Sequence, residues 1–516
     1  MKRSTEVYFK TEHLRAEIGT SALRSGNIVM SSQILVAIIR TVSTIILARL
    51  LTPTDVGLCA VVMSVTSALE IFKDLGLCDA IIQWPSISHR QVSVLFWINL
   101  AVSAGTGLVV VLLAPAIAWF YGDHRLVGIS MVWALVFVIG GSSAQHLALL
   151  KRGMFFSAVS ILTVVAALLS GAIAIALALW GAKYWSLIWR EVLTEGFLAV
   201  GAWFICFWRP GAPSRASGIR PMLAFGGHTI MSFMVRRWAS NFDRALIGWR
   251  FGAQATGYYA KAFDFAALPA SQISGSLRNV AVAALSKVRG EPEAFRQYYL
   301  KAVRTLAFIG FAVTAFLVLA SEDLIALLLG PKWSETGRLL KILSLSTGAF
   351  LIYFTHVWIH FALGRADRLA RWSVMSGLAT VGVLLLGSVF GPAGIAWTYS
   401  ISTYAFTIWG LWYAGEPIEL RVSSMLQSVW RYFVASAGAT LLGWFAITYM
   451  GFFAGHFSRI CFFGVCVSLS YIVFLMILFG GPEPVREFSS MVKKSLPRKK
   501  AITVTRFAEE TEPVAL

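Results

Sequence analysis

Residues 93–120 read SVLFWINLAVSAGTGLVVVLLAPAIAWF and contain no Asp, Glu, Lys or Arg. As an α-helix, a run of this length rises ~40 Å. That exceeds the ~30 Å hydrocarbon core of a bilayer, which needs about 20 apolar residues in a helix. The run is also too long and too uniformly apolar for a strand of a membrane β-barrel, whose faces alternate over ~10 residues. It predicts a transmembrane helix.

The whole chain is also strongly apolar. It has 516 residues, of which 57% are hydrophobic and 13% are charged, and its mean hydropathy is +0.72. Soluble domains carry about 25% charged residues. The composition therefore excludes a soluble enzyme, a disordered protein and a disulfide-rich secreted domain, the last because only 5 cysteines are present. A polytopic membrane protein remains.

We count fourteen apolar runs long enough to cross a bilayer. The fold class expected is all-α, since only helices satisfy backbone hydrogen bonds within one lipid-exposed segment. The runs are 27–51, 56–77, 93–120, 126–150, 157–180, 184–207, 221–243, 256–285, 303–329, 339–363, 372–390, 393–413, 432–450 and 459–480.

The basic residues give the orientation. If the N-terminus is cytoplasmic, most Lys and Arg residues outside the runs fall on the cytoplasmic side, as the positive-inside rule requires. Residues 1–26 have no apolar segment typical of a signal peptide, so we expect the first run to remain in the mature protein. We expect both ends to be cytoplasmic. The opposite side has only Arg125, Lys183, Arg250, Lys332, Arg338 and Arg459.

An internal repeat indicates two lobes. At an offset of 200, PTDVGLCA at residues 53–60 aligns with AQATGYYA at residues 253–260, and both join a first helix to a second. Membrane transporters are often built from such repeats. We predict six segments. Residues 1–26 form a cytoplasmic N-terminal segment, residues 27–207 an N-lobe of six helices, and residues 208–220 a cytoplasmic linker. Residues 221–413 form a C-lobe of six helices, residues 414–480 two further helices with their preceding loop, and residues 481–516 a basic cytoplasmic tail.

Ionisable residues inside the runs are candidates for function, because they are costly in a membrane and usually face an interior or a water-filled cavity. The candidates for substrate binding are Arg40, Arg236, Arg237, Lys261 and Arg278. The candidates for ion coupling or cavity lining are Asp264, Gln272, Asn279 and Glu195. The alternative is that these cations form buried ion pairs with acids such as Asp264 and Glu195. We interpret Arg49, Lys73, Arg244 and Lys341 as residues that reach the membrane interface from helix ends.

Motifs for soluble catalysis are missing. The sequence has no GxxxxGK[ST], HExxH, GxSxG or GxGxxG. We therefore expect no enzyme activity, catalytic residue, metal or cofactor, and no direct use of ATP. The basic C-terminal tail suits a membrane surface better than a nucleic acid, so no nucleic-acid partner is expected.

Two motifs resemble one family. The first motif is RLLTPTDVG at residues 49–57, followed by DLGLCDA at 74–80. The second is GYYAKA at residues 257–262, leading to ALSK at 284–287. Both resemble motifs of bacterial polysaccharide (O-antigen or exopolysaccharide repeat-unit) flippases of the MOP superfamily. Two departures are Val56, where Phe is usual, and the absence of a Pro near residues 283–284.

The resemblance implies a transporter that flips undecaprenyl-pyrophosphate-linked oligosaccharide repeat units across the bacterial cytoplasmic (inner) membrane. The transport would proceed by alternating access through a basic central cavity, for exopolysaccharide or lipopolysaccharide biosynthesis. Its partners would be the lipid-linked oligosaccharide, membrane lipids, and a polysaccharide polymerase with chain-length machinery. Three alternatives stay open at this point: a drug or small-molecule exporter of the same superfamily, a peptidoglycan-precursor flippase, and a membrane-embedded polymerase or acyltransferase.

Overall fold

A computed structural model describes residues 9, 18–73, 76–84, 86–213, 234, 237–450 and 455–495. In these ranges the regular structure consists of helices, with no β-strand. The N-terminal half contains seven helices with the following bounds: α1 (Ile18–Leu50), α2 (Pro53–Thr66), α3 (Leu77–Gln83), α4 (His89–Tyr121), α5 (Arg125–Arg152), α6 (Phe156–Leu179) and α7 (Trp185–Ile205). The chain continues beyond α2 as a 3-10 helix, Ser67–Lys73.

The helices with described bounds in the C-terminal half run from a long helical segment to a short amphipathic helix. These helices are α8 (Phe242–Lys287), α9 (Pro292–Leu328), α10 (Ser334–Ser344), α11 (Thr347–Tyr353), α12 (Thr355–Ala362), α13 (Ala366–Gly387), α14 (Gly391–Gly415), α15 (Val422–Met450), α16 (His456–Phe479) and α17 (Glu483–Ser495). The last helix lies in the region predicted to be a cytoplasmic tail.

The described part of the structure has fewer candidate membrane-spanning helices than the fourteen that the sequence predicts. Among the described residues, nine helices are long and apolar enough to cross a membrane, or ten if the bent pair Pro331–Ser344 and Thr347–Ala362 is one span. One of the nine, Ala366–Ile418, contains α13 and α14, which pack against each other across a 3-10 turn. The charged helices α7 and α8 are not among the nine, and residues 221–233 lie outside the described ranges. The count of fourteen and the domain boundaries therefore stay predictions.

The start of α2 is specified locally. Thr52 accepts a hydrogen bond from the backbone N–H of Asp55, and the Asp55 carboxylate accepts one from the backbone N–H of Thr52. Pro53 occupies the first turn, where its missing N–H costs nothing. This capping box ends α1 and starts α2 within a few residues.

The two halves cross at a pair of glycines. A Cβ on Gly57 of α2 would lie 1.6 Å from the carbonyl oxygen of Ala253, and a Cβ on Gly257 of α8 would lie 1.9 Å from the carbonyl oxygen of Pro53. No side chain fits at either position, so the helices pack backbone to backbone. The contact is reciprocal at the same offset of 200 residues as the sequence repeat.

Two side chains strengthen this crossing. We call the crossing and its surroundings the sealed end, defined as Ala48–Gly57, Ala253–Gly257, Leu327–Leu328 and Trp333. The indole N–H of Trp333 donates to the carbonyl of Ala48 at 2.8 Å. Arg49 donates through Nε to the carbonyl of Leu328 at 2.7 Å and through Nη2 to that of Leu327. Arg49 thus satisfies free carbonyls at the end of α9, where a cation is also favoured by the helix dipole.

We expect Gly57→Ala and Gly257→Ala each to lower the thermal unfolding midpoint of the purified protein in detergent. The added methyl group must push two backbones apart, and overpacking of this kind costs about 1–3 kcal/mol. The matched control is Gly105→Ala on α4, where a Cβ would meet nothing within 4 Å. Midpoints for Gly57→Ala and Gly105→Ala that both equal the wild-type value would contradict the close crossing.

Candidate functional site

A cavity of about 910 Å³ lies between the two halves. Its walls are α1 over residues 29–41, α8 over residues 263–272 with Arg244, and the start of α6 with Lys151 from the end of α5. On both α1 and α8 the lining residues come from the part of the helix that points away from the sealed end. The cavity thus lies away from the glycine crossing and extends to the turn between α5 and α6.

The cavity is net basic. Arg40, Lys151 and Arg244 line it, and Asp264 is the single carboxylate among its described lining residues. Asp264 is already engaged twice, because its Oδ1 accepts a hydrogen bond from Arg244 at 2.9 Å and its Oδ2 accepts one from Lys261 at 3.0 Å. The guanidinium of Arg244 also lies 5.2 Å from the ring centre of Phe263. The Asp264 carboxylate is therefore already shared by two cations, Arg244 and Lys261.

Arg40 and Lys151 are the lining cations that make no direct contact with a described acid. The Glu191 carboxylate, which pairs with Arg190 at 2.9 Å, attracts Arg40 without touching it. The side chains of Arg40 and Lys151 are exposed, and neither forms a hydrogen bond or ion pair with any residue in the described ranges. A cleft lined by one sign of charge with low-dielectric walls focuses its field and concentrates ions of the opposite sign. This arrangement suits an anionic group, and the Arg40 guanidinium can bind two oxygens of a phosphate at once.

Polar and aromatic groups complete the lining. Hydroxyl and amide groups project from all three walls, and a hydrogen bond of 3.0 Å between Ser32 and Ser160 links α1 to α6. Such groups both donate and accept hydrogen bonds, as sugar hydroxyls require. The polar lining residues are Ser32, Gln33, Thr41, Ser160, Thr163, Ser271 and Gln272, and the aromatic ones are Phe156 and Phe263.

Three of the predicted site residues line this cavity: Arg40, Asp264 and Gln272. Lys261 is not itself in the lining and joins the site through its ion pair with Asp264. The geometry therefore favours the interpretation of Lys261 as a cation in an ion pair over that of a substrate-binding residue.

Other predicted residues form ion pairs elsewhere. Arg237 pairs with Glu70 at 2.6 Å and so joins the C-terminal half to the 3-10 continuation of α2. Glu195 of α7 pairs with Lys73 at 2.6 Å within the N-terminal half. Neither Arg237 nor Glu195 belongs to the cavity lining.

The remaining predicted residues are not brought to the cavity. Arg278 is exposed on α8, outside the lining. Asn279 lies on the same helix, but its side chain is outside the described part of the structure, and Arg236 lies outside the described residues altogether.

Two lining cations were not among the predicted site residues. Lys151 belongs to a short turn that sequence patterning assigns to the cytoplasmic side, and Arg244 was interpreted as an interfacial residue beside Asp243. In a straight helix, Arg244 and Asp264 would lie ~30 Å apart. The chain instead turns back at Gly252, whose φ of 80° favours glycine, and this brings the two side chains together. That glycine is the one sequence signal that could have indicated the turn.

Comparisons with known proteins place the chain in a family. The family model described as "Polysaccharide biosynthesis protein" matches residues 46–338, which is more than half of the chain. The teichuronic acid biosynthesis protein TuaB of Bacillus subtilis is 26% identical over 80% of this chain and 86% of its own length. The succinoglycan biosynthesis transport protein ExoT of Rhizobium meliloti is 22% identical over 72% of this chain and 75% of its own length.

A solved structure shares the fold. The lipid II flippase MurJ in its inward closed conformation superimposes with a TM-score of 0.69 at 14% sequence identity, over 89% of this chain and 99% of that one. At this identity the likeness establishes the fold alone. The prediction of an all-α, multi-pass membrane protein is confirmed, as is the resemblance to polysaccharide flippases of the MOP superfamily. By the extent of the family match, the chain belongs to the polysaccharide biosynthesis protein family.

Proposed function

We propose that this protein is a transporter that flips undecaprenyl-pyrophosphate-linked oligosaccharide repeat units across the cytoplasmic membrane for exopolysaccharide or lipopolysaccharide biosynthesis. The observation that carries the proposal is the net-basic, polar cavity between the two halves, in which Arg40 and Lys151 make no hydrogen bond or ion pair with a described residue. Family membership supports it, as do relatives named for teichuronic acid and succinoglycan biosynthesis.

Each part of such a substrate has a matching group in the cavity. The pyrophosphate would bind Arg40 and Lys151, since charge-assisted hydrogen bonds to phosphate are about twice as strong as neutral ones. The sugars would meet the hydroxyl and amide groups on α1, α6 and α8. The lipid tail would stay in the bilayer, because burying its methylene groups in water-filled space would be costly.

Orientation gives the direction of loading. With the N-terminus in the cytoplasm, as the distribution of basic residues predicts, the sealed end faces the periplasm and Lys151 lies near the cytoplasmic face. The cavity would then receive the headgroup from the cytoplasmic leaflet. Release would require the contacts around Gly57 and Gly257 to part while the opposite end closes, as in alternating access between repeats.

The alternatives fit less well. A cationic drug would need a free carboxylate, whereas Asp264 already neutralises Arg244 and Lys261. A peptidoglycan precursor also carries a pyrophosphate, so cavity charge does not distinguish it, and the family is what favours polysaccharide. A membrane-embedded polymerase is disfavoured because the fold is shared with a flippase. We also propose that the transporter works together with a polysaccharide polymerase and chain-length machinery.

We expect deletion of the gene in its native host to abolish one secreted or cell-surface polysaccharide. Repeat units linked to the carrier lipid should accumulate in the cytoplasmic leaflet, because synthesis continues while flipping stops. Polymer chemistry and leaflet-specific labelling of lipid-linked sugars measure both effects. Unchanged polymer with altered resistance to cationic drugs would instead assign the protein to drug export, and accumulation of lipid II would assign it to peptidoglycan synthesis.

The basic cavity can be tested by charge reversal. Arg40→Glu and Lys151→Glu should each abolish complementation of the deletion, because a carboxylate would repel the pyrophosphate in a low-dielectric space. The matched control is Lys332→Glu, an exposed cation at the sealed end that does not line the cavity. Immunoblots establish that all three variants insert at wild-type amounts. Wild-type polymer yield from the double variant Arg40→Ala, Lys151→Ala would contradict the mechanism.

Asp264 has two possible roles, and charge balance separates them. Asp264→Asn should lower polymer yield, since Arg244 and Lys261 lose their shared acceptor and repel each other. If Asp264 acts by pairing, the double variant Asp264→Asn, Lys261→Met should recover much of the yield, because it removes one charge of each sign. A double variant as inactive as Asp264→Asn alone would show that the carboxylate itself is required, as ion coupling would demand.

A further inference from the structure

A second cluster of cations lies far along the chain from the cavity, where α9, α15, α16 and α17 meet. Arg304 is on α9 and Arg431 is on α15. The Nε atom of each guanidinium is buried without a hydrogen-bond partner, and neither arginine forms an ion pair with a residue in the described ranges. A buried donor left unpaired costs about 1–3 kcal/mol, and more when it is charged. Two such donors at one place are available to an anion.

Aromatic side chains form the wall of this site, which we call the interfacial arginine site. The guanidinium of Arg431 lies 4.6 Å from the ring centre of Phe479, at the end of α16, and 5.7 Å from that of Trp430. Tyr432 lies 5.5 Å from Phe479 and 6.3 Å from Phe308, measured between ring centres. Cation–π contacts hold the Arg431 guanidinium in place while leaving its N–H groups available.

The amphipathic helix α17 places Arg304 in the same site. Phe488 stacks on Phe308 with 4.8 Å between ring centres, and Glu487 pairs with Lys301 at 3.9 Å. Lys301, Arg304 and Phe308 share one face of α9, because residues spaced by three, four and seven positions are neighbours on a helix. Arg304 therefore lies between the two contacts that α17 makes with α9.

Charge is left over at this site. Glu487 is the acidic residue that α17 brings to it, and its nearest cation is Lys301. Arg304 is one turn before Phe308 on α9, and Phe308 contacts Tyr432, the residue next to Arg431, so both arginines lie near Tyr432. With Lys301 balancing Glu487, the two arginines leave a charge of about +2 for a ligand to neutralise.

The position of the site identifies the kind of ligand. The predicted membrane spans 303–329, 432–450 and 459–480 begin or end beside Arg304, Arg431 and Phe479, on the side predicted to be cytoplasmic. Exposed apolar side chains continue from the site along the helices, among them Trp430, Phe433 and Ile477. A ligand with a negative headgroup and an acyl chain would bury both parts here. Basic pockets between helices at the cytoplasmic interface bind anionic lipid headgroups in other membrane proteins.

We propose that Arg304 and Arg431 bind the phosphodiester of an anionic glycerophospholipid, with the acyl chains lying against α15 and α16. The two guanidinium groups would donate to the phosphate oxygens, and Trp430 would lie at the headgroup level, where tryptophan is enriched. This lipid is separate from the transported substrate, and the proposal stands independently of the transport function.

The test uses the full-length protein, purified and delipidated in detergent, and titrated with phosphatidylglycerol or phosphatidylethanolamine of identical acyl chains. Native mass spectrometry measures the fraction carrying bound lipid. We expect preferential binding of phosphatidylglycerol, and about tenfold weaker binding for Arg304→Gln or Arg431→Gln, the loss of one charge-assisted contact. Binding of phosphatidylethanolamine should not change.

The matched control is Arg421→Gln, which removes an exposed cation near the start of the same helix α15. It should bind phosphatidylglycerol like the wild type. Equal affinity of the wild type for both lipids, or equal weakening by Arg421→Gln, would overturn the proposal in favour of general surface attraction. Arg304→Lys retains the charge and should keep part of the affinity. If Arg431→Gln does not elute as a single peak, the Arg304 variants decide the matter.

Two competition arms distinguish the source of the phosphate. Inorganic phosphate at equal concentration should not displace phosphatidylglycerol, because it cannot use the apolar surface; displacement would overturn the lipid assignment. Undecaprenyl phosphate that displaced phosphatidylglycerol at lower concentration would also overturn it, and would make the site one for the carrier lipid.

Discussion

The close crossing of α2 and α8 at Gly57 and Gly257 is the constraint on which the arrangement of the two halves depends. Because neither glycine can carry a side chain there, the backbones approach until each would-be Cβ meets a carbonyl of the other helix. The hydrogen bonds from Trp333 and Arg49 fasten the same end. The cavity between the two halves is lined by other parts of α1 and α8.

The electrostatics of the cavity follow from how few acids reach it. Asp264 is bound by both Arg244 and Lys261, and the cations contributed by α1 and the α5–α6 turn make no direct ion pair with a described acid. Two other predicted site residues, Glu195 and Arg237, do form direct ion pairs, with Lys73 and Glu70 respectively. The contrast matters, because an unpaired cation inside a membrane protein is costly unless water or a ligand reaches it. It is the strongest physical reason to assign this space to an anionic substrate.

Some site residues were within reach of sequence reasoning and others were not. Arg40 stands in the middle of an apolar run with no acid nearby in sequence, which made it a candidate site residue, and it does line the cavity. Arg244 was misjudged because its partner Asp264 is 20 residues away and meets it only after the chain turns back at Gly252. Sequence reasoning assigned Lys151 to a loop, because hydropathy shows where a helix ends but not which lobe the residues at that end face. The interfacial arginine site has the same origin, since Arg304 and Arg431 are 127 residues apart and come together only through α17 and the packing of α15 on α9.

Composition and periodicity alone determined that the chain is an all-α, multi-pass membrane protein, because the cost of unsatisfied backbone groups in lipid leaves helices as the only structure for such apolar runs. Local motifs also determined the family and the register of the repeat, since a capping residue, a proline and a close-packing glycine act over a few positions. The pairing of charges was decided by tertiary structure. Whether a cation in a helix is neutralised or left for a ligand depends on which acid a distant helix presents within ~4 Å, and no local pattern records that distance.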